Sequence, residues 1–166
     1  FLLINIDFMI NEKLFCPDSI AIIGASNNIM KPGGKVLKNL TDHNFKGKLY
    51  AVNPKYDEIQ GLRAYHSVEE IPEADLAILA IPAAYCLEAV EVLAAKKGVR
   101  AFIIVSGGFG ETGEEGKKME REIVEVVNRY DACLIGPNCI GVMTPYHASV
   151  FTTPVPGLTS QGCDFI

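Results

Sequence analysis

Five clusters of small and polar residues punctuate the sequence: Gly24-Ala25-Ser26-Asn27, Asn53-Pro54-Lys55, Ile81-Pro82-Ala83, Ser106-Gly107-Gly108-Phe109 and Gly136-Pro137-Asn138-Cys139. Each closes or follows an apolar run. Short side chains leave backbone N–H groups free and let a ligand come close to the main chain. In the first cluster Gly24 permits a tight turn, and Ser26 offers a hydroxyl and its own N–H. Lys31 and Lys35 follow, near the start of a helical pattern whose free N–H groups suit a phosphate. These are groups for holding a phosphate-bearing ligand.

Two familiar phosphate signatures are absent. The dinucleotide fingerprint G-x-G-x-x-G fails because Ser26, not glycine, stands two residues after Gly24. Pro32-Gly33-Gly34-Lys35 is not a P-loop, since no glycine lies at the required upstream spacing and Val36 replaces the hydroxyl that would hold magnesium. An NAD site also carries an acid after its second strand, to accept from the ribose hydroxyls. Here that place reads Asn53-Pro54-Lys55. A lysine suits a ribose bearing a phosphate, in a charge-assisted contact of about 1.5–3 kcal/mol. NADP and coenzyme A (CoA) both meet that description. An NAD(P)-binding domain of a dehydrogenase or redox sensor, and a stand-alone CoA-binding protein, therefore remain open at this point.

The elements that must position these clusters follow from hydrophobic pattern. Residues 19–23, 48–52, 76–81, 100–105 and 132–135 are apolar on both alternating faces. That suits parallel strands covered by helices on two sides. Between them, Val36, Leu37 and Leu40 mark one helix. Cys86, Ala89, Val90, Leu93 and Ala94 mark a second, stopped at Gly98. Met119, Ile123, Val126, Val127 and Tyr130 mark a third, with Glu114 and Glu115 in its first turn, where the helix dipole favours carboxylates. Residues 67–72 allow only a short helical turn. The order predicts an α/β, Rossmann-like, doubly wound parallel sheet of about five strands, with helices on both faces. In such sheets ligands bind beyond the carboxyl ends of the strands, where all five clusters fall.

The chain of 166 residues is long enough for one domain with a sizeable core. We expect an N-terminal extension over residues 1–9, the nucleotide-binding domain over 10–145, and a linker with the start of a second domain over 146–166. Past Gly141 the helical and strand periods fade, and only "CDFI" at the end resembles a strand. A formal net charge of −5 argues against a nucleic-acid surface. No apolar run approaches the roughly 18 residues of a membrane span. The five cysteines (Cys16, Cys86, Cys133, Cys139 and Cys163) form no C-x-x-C pair, and the 3 histidines are scattered. This predicts no metal site and reduced, packed thiols in a cytoplasmic protein. His43, His66 and His147 are expected in surface or capping roles.

Taken in order, "SIAIIGASNN", "GKLYAVNPKYDEIQGLRAYHSVEEIPEADLAILAIPA", "FIIVSGGFGETGEEG" and "LIGPNCIGVM" resemble the CoA-binding domain of the NDP-forming acyl-CoA synthetases. That family is related to the succinyl-CoA synthetase alpha subunit and includes ADP-forming acetate–CoA ligases. The resemblance covers roughly residues 10–145. It implies CoA as cofactor, a small carboxylic acid as co-substrate, and an ATP-grasp nucleotide-binding domain or subunit as partner. An oligomer is compatible with it. Carried over, Gly24, Ala25, Ser26 and Asn27 would hold the CoA phosphates, and Lys55 the 3′-phosphate or adenosine end. Ile81, Pro82 and Ala83 would flank the adenine or the pantetheine arm. Ser106, Gly107 and Gly108 would contact the cofactor through their backbone, with Pro137 and Asn138 in the turn facing the reaction centre. Gly107 departs from the alanine common at that place. The family passes a phosphoryl group through a histidine of a following domain. Nothing in this chain matches that histidine's surroundings, so the resemblance implies CoA binding without turnover and no catalytic residue here.

Overall fold

A computed structural model describes residues 10–155 and 164–165. Cys163 and the residues before Ile10 lie outside that range. In chain order, α1 (Glu12–Phe15) leads to β1 (Ser19–Ile23), α2 (Pro32–Asp42) and β2 (Lys48–Val52). A hairpin of β3 (Glu58–Ile59) and β4 (Leu62–Tyr65) follows, then β5 (Leu76–Leu79), α3 (Cys86–Lys96), β6 (Ala101–Ile104), α4 (Glu114–Arg129) and β7 (Cys133–Ile135). Three short strands come last: β8 (Gly141–Met143), β9 (Ala148–Val150) and β10 (Asp164–Phe165).

The main sheet has seven strands in the order β3-β4-β2-β1-β5-β6-β7. All its pairings are parallel except β3 with β4. Alternation along each strand divides the core. Ile20 and Ile22 of β1 pack with Val36, Leu37 and Leu40 of α2 on one face. Ala21 and Ile23 pack on the other face, in the layer that holds Val90 and Leu93 of α3 and Ile123 and Val127 of α4. The central strands β1, β5 and β6 are buried at every position. This is why their sequences read as unbroken apolar runs. The helices bring only one stripe each to the sheet, as their spacing predicted.

The structure corrects the strand count. The five expected strands are β1, β2, β5, β6 and β7, and the β3–β4 hairpin adds two more. It turns on Gln60 (φ 49°) and Gly61 (φ 80°), the two left-handed residues that a two-residue hairpin loop needs. The expected helical turn near residue 67 is only a hydrogen-bonded turn, in which Glu70 N–H donates to the Ser67 carbonyl at 3.3 Å. Past Gly141, where only the final "CDFI" resembled a strand, β8 and β9 form an antiparallel hairpin, and β10, within that stretch, pairs with β8. Asn39 of α2, nearly fully buried, donates Nδ2 to the carbonyls of Val150 (2.6 Å) and Thr152 (3.0 Å) and fixes the hairpin to the helix. His147, expected in a surface or capping role, is 4% exposed. Its Nε2 lies 2.7 Å from the Leu14 carbonyl and its Nδ1 2.8 Å from Ser149 Oγ. Strands of three residues are too short to show a period, which is why the pattern hid them. Among the described residues no helix is long and apolar enough to cross a membrane.

Candidate functional site

The loop after β1 is built by close backbone approach. Gly24 sits at φ +88°, and a Cβ there would lie 2.4 Å from the Ala80 carbonyl oxygen. Its N–H donates to the Val52 carbonyl at 2.9 Å, while Ala80 N–H donates to the Ile23 carbonyl at 2.8 Å. The ends of β1, β2 and β5 are thereby drawn to one point. Helix α2 starts directly against this loop, since a Cβ on Gly33 would meet the Gly24 carbonyl oxygen at 2.1 Å. Pro32 opens the helix, where its missing N–H costs nothing.

The loop is held from below by a residue that the sequence reading did not single out. Gln60, on the β3–β4 turn, donates Nε2 to the carbonyls of Ser26 (2.8 Å) and Gly34 (2.9 Å). Its own N–H donates to Asn27 Oδ1 at 2.8 Å, and Asn27 Nδ2 donates to the Glu58 carbonyl at 3.3 Å. The Asn27 amide is thus spent on positioning the loop. The available signal was a polar residue followed by glycine between "EI" and "LRAY", a two-residue hairpin turn. Ser26 is 8% exposed, and its Oγ accepts from Asn28 N–H at 3.0 Å.

At the end of β2, Asn53 Nδ2 donates to the Ala25 carbonyl at 2.8 Å, and Asn53 Oδ1 accepts from Lys55 N–H at 3.0 Å. The second bond closes an Asx turn that presents Lys55. Lys55 is exposed, and among the described residues no carboxylate lies within ion-pair distance of it or of Lys31. Between this turn, the β1 loop and the first turns of α3 lies a cleft of about 930 Å³. That is at the upper end of the roughly 300–1,000 Å³ of small-molecule sites. Its lining includes Lys31, Lys55 and His66, the carboxylates Glu69 and Glu88, and the apolar Val68, Ala89 and Val92. The crossover from β4 to β5 contains no helix, and its Val68, Ile71 and Ala74 pack against the sheet beside α3.

The cleft brings together Gly24, Ser26, Lys55, Ile81 and Pro82. Ala25 is buried behind the loop and Ala83 lies beneath the turn into α3. Ser106, Gly107, Gly108, Pro137 and Asn138 cluster separately, above β6 and β7. Ser106 Oγ donates to the Ile81 carbonyl at 2.5 Å, and Asn138 N–H donates to the Ser106 carbonyl at 3.0 Å. Pro137 edges a second hollow of about 330 Å³ with Phe109 and Glu120. Of the three residues expected to offer backbone N–H groups here, Gly108 has its N–H engaged. Gly108 and Phe109 both donate to the Glu111 carboxylate, at 2.5 and 3.1 Å, and Gly110 donates to Glu120 at 2.9 Å. The Gly108 N–H foremost, with the N–H groups of Glu111 itself and Phe109, holds the Glu111 carboxyl below the usual carboxylate range.

Cys139 donates its thiol to the Ile104 carbonyl at 3.4 Å, and burial pushes that thiol up. Burial pushes Cys86 to about 12. Neither presents a thiolate near neutral pH. His43 caps α2, with Nδ1 2.9 Å from the Asn39 carbonyl. Among the described residues no three metal-ligating side chains come together.

This geometry can be set beside known proteins. The CoA binding domain family matches residues 18–145. The acetate–CoA ligase [ADP-forming] II subunit alpha of Pyrococcus furiosus is 46% identical over 143 residues, covering 86% of this chain and 31% of the relative. Acetate–CoA ligase [ADP-forming] I of Archaeoglobus fulgidus is 50% identical over 133 residues, covering 80% of this chain and 19% of the relative. The solved structure of the dinucleotide-forming acetyl-coenzyme A synthetase 1 of Ca. Korarchaeum cryptofilum, in complex with phosphate and ADP, superposes with a TM-score of 0.78 at 34% identity, over 84% of this chain and 30% of that one. The chain thus spans less than a third of the length of these relatives. With the family matched over most of its length, and with a Rossmann-like sheet whose strand ends frame the cleft, the chain belongs to the CoA binding domain family.

Proposed function

We propose that the cleft at the ends of β1, β2 and β5 holds CoA, and that this domain is the CoA-holding part of an NDP-forming acid–CoA ligase. The observation that carries the reading is the pairing of a backbone loop with an uncommitted cation across one cleft. The backbone N–H groups that follow Gly24 in the β1 loop, with Ser26 among them, face the pyrophosphate, and Lys55 meets the 3′-phosphate. Ile81 and Pro82 lie along the adenine or the arm. The pantetheine then runs over Ser106–Gly108 toward Pro137 and Asn138. The Gly108 N–H reaches the cofactor only after Glu111 releases it.

The whole enzyme would interconvert acyl-CoA, ADP and phosphate with acid, CoA and ATP, through an acyl-phosphate and a phosphohistidine. His43 and His147 are occupied structurally and His66 lines the cleft beside Lys55, and the family resemblance assigns the phosphoryl-carrying histidine and an ATP-grasp unit outside the described residues. The domain alone then binds CoA without turnover. The names of the relatives support the ligase reading, and the lysine after β2 supports a phosphorylated ribose. Thermal denaturation tests it. CoA is expected to raise the melting temperature more than NADH or NADPH at equal concentration, by linkage. A larger shift with NADPH would assign the cleft to a dinucleotide instead.

A further inference from the structure

We infer that His66 acts with Lys55 as a paired reader of the terminal phosphate, exchanging its bond to Asp57 for one to the phosphate and taking up a proton as CoA binds. The inference rests on CoA occupying the cleft as proposed above.

The β2–β4 register places the two residues together. Val52 lies opposite Tyr65, and Asn53 N–H donates to the Tyr65 carbonyl at 2.9 Å. Lys55 and His66 therefore leave adjacent strand ends, and neighbouring strands run about 4.8 Å apart. The intervening turn is fixed at both ends, by Lys55 N–H on Asn53 Oδ1 and by Ala64 N–H on the Asp57 carbonyl at 2.8 Å. Both side chains line the same cleft.

The His66 ring is placed to change partners. It is about half exposed, and Nε2 lies 3.1 Å from Asp57 Oδ1, on a side chain that is 97% exposed. Ion pairs this exposed are weak, so a phosphate dianion held by Lys55 can displace the carboxylate. Further charged groups lie around the ring and along the cleft. The Glu70 carboxylate accepts from the His66 backbone N–H at 2.9 Å. Glu69 is paired with Lys96 at 2.6 Å. Glu88 lines the cleft from α3, and Lys31 from beyond the β1 loop. An imidazole against a phosphate dianion is favoured in its charged form. Binding therefore draws a proton onto the ring.

The test is calorimetric titration of CoA and dephospho-CoA into the native chain and His66→Gln, in two buffers of different ionisation enthalpy near pH 7. The phosphate's own second ionisation, at roughly 6, shifts the opposite way and releases protons. The difference between native and variant isolates the ring. The native chain is expected to take up more protons than His66→Gln when binding CoA, and the two to behave alike with dephospho-CoA. The variant's preference for CoA over dephospho-CoA is expected to fall by about two- to five-fold. Equal proton uptake and an unchanged preference would overturn the role of His66 and leave the cleft assignment standing. No binding of CoA to the native chain would overturn the cleft assignment itself.

Discussion

Asn53 and Ala25 are joined across two strand ends by a 2.8 Å bond from the side-chain amide to the main-chain carbonyl. The same amide accepts from Lys55 N–H. One side chain thus sets both the height of the β1 loop and the reach of the lysine. The β1 loop and Lys55, proposed to hold the phosphates, are a single mechanical unit.

Replacing Asn53 by Ala removes both bonds and leaves a partly buried carbonyl without its donor. We expect a stability loss of about 1–2 kcal/mol by urea denaturation, together with weaker CoA binding. Asn53→Asp keeps the acceptor for Lys55 N–H but turns a carboxylate oxygen toward the Ala25 carbonyl. It should bind CoA more weakly than Asn53→Ala, because it also adds negative charge beside the phosphates. If Asn53→Asp bound CoA as well as the native chain, the coupling of the two loops would be wrong.

Gln60 holds the loop from the opposite side. Gln60→Ala strips its amide from the Ser26 and Gly34 carbonyls but leaves the turn backbone in place. The expected result is a loss of about 1–3 kcal/mol in stability, with faster hydrogen exchange concentrated in residues 24–34. Uniform exchange across the sheet would contradict a local clamp.

His147 makes stability depend on acidity. Burial drives its imidazole from 6.5 down to about 4, and its ring is held between the Leu14 carbonyl and the Ser149 hydroxyl. Above about pH 6.5 the ring is neutral in both folded and unfolded chains and costs nothing. As pH falls below that value the unfolded chain takes the proton first, and stability is lost progressively until about pH 4. The linked loss is at most about 3 kcal/mol. Urea midpoints measured from pH 7.5 to 5 should fall more steeply for the native chain than for His147→Gln. Parallel slopes would contradict the burial of a neutral ring.

The central sheet is legible in the sequence for a physical reason. β1, β5 and β6 are covered on both faces, so every residue but Ser19 is apolar and each run stops at a turn cluster. Gly24, Ser26, Lys55, Ile81 and Pro82 could be nominated from their type and their place at strand ends alone. The rest depends on tertiary facts. The wall formed by His66 and Val68 belongs to a β4–β5 crossover without a helix, whose course periodicity does not announce. The engagement of Gly108 by Glu111 depends on how one flexible carboxylate folds back. The β8–β9 hairpin is anchored by Asn39, more than a hundred residues away, and no local window contains that contact.

The most direct measurement is a calorimetric comparison of CoA with dephospho-CoA on the native chain and on Lys55→Ala. CoA should bind the native chain more tightly than dephospho-CoA, and Lys55→Ala should erase most of that difference while still binding both. Equal affinity of the native chain for the two ligands, or a preference for CoA that survives in Lys55→Ala, would contradict a cleft that reads the 3′-phosphate through this lysine.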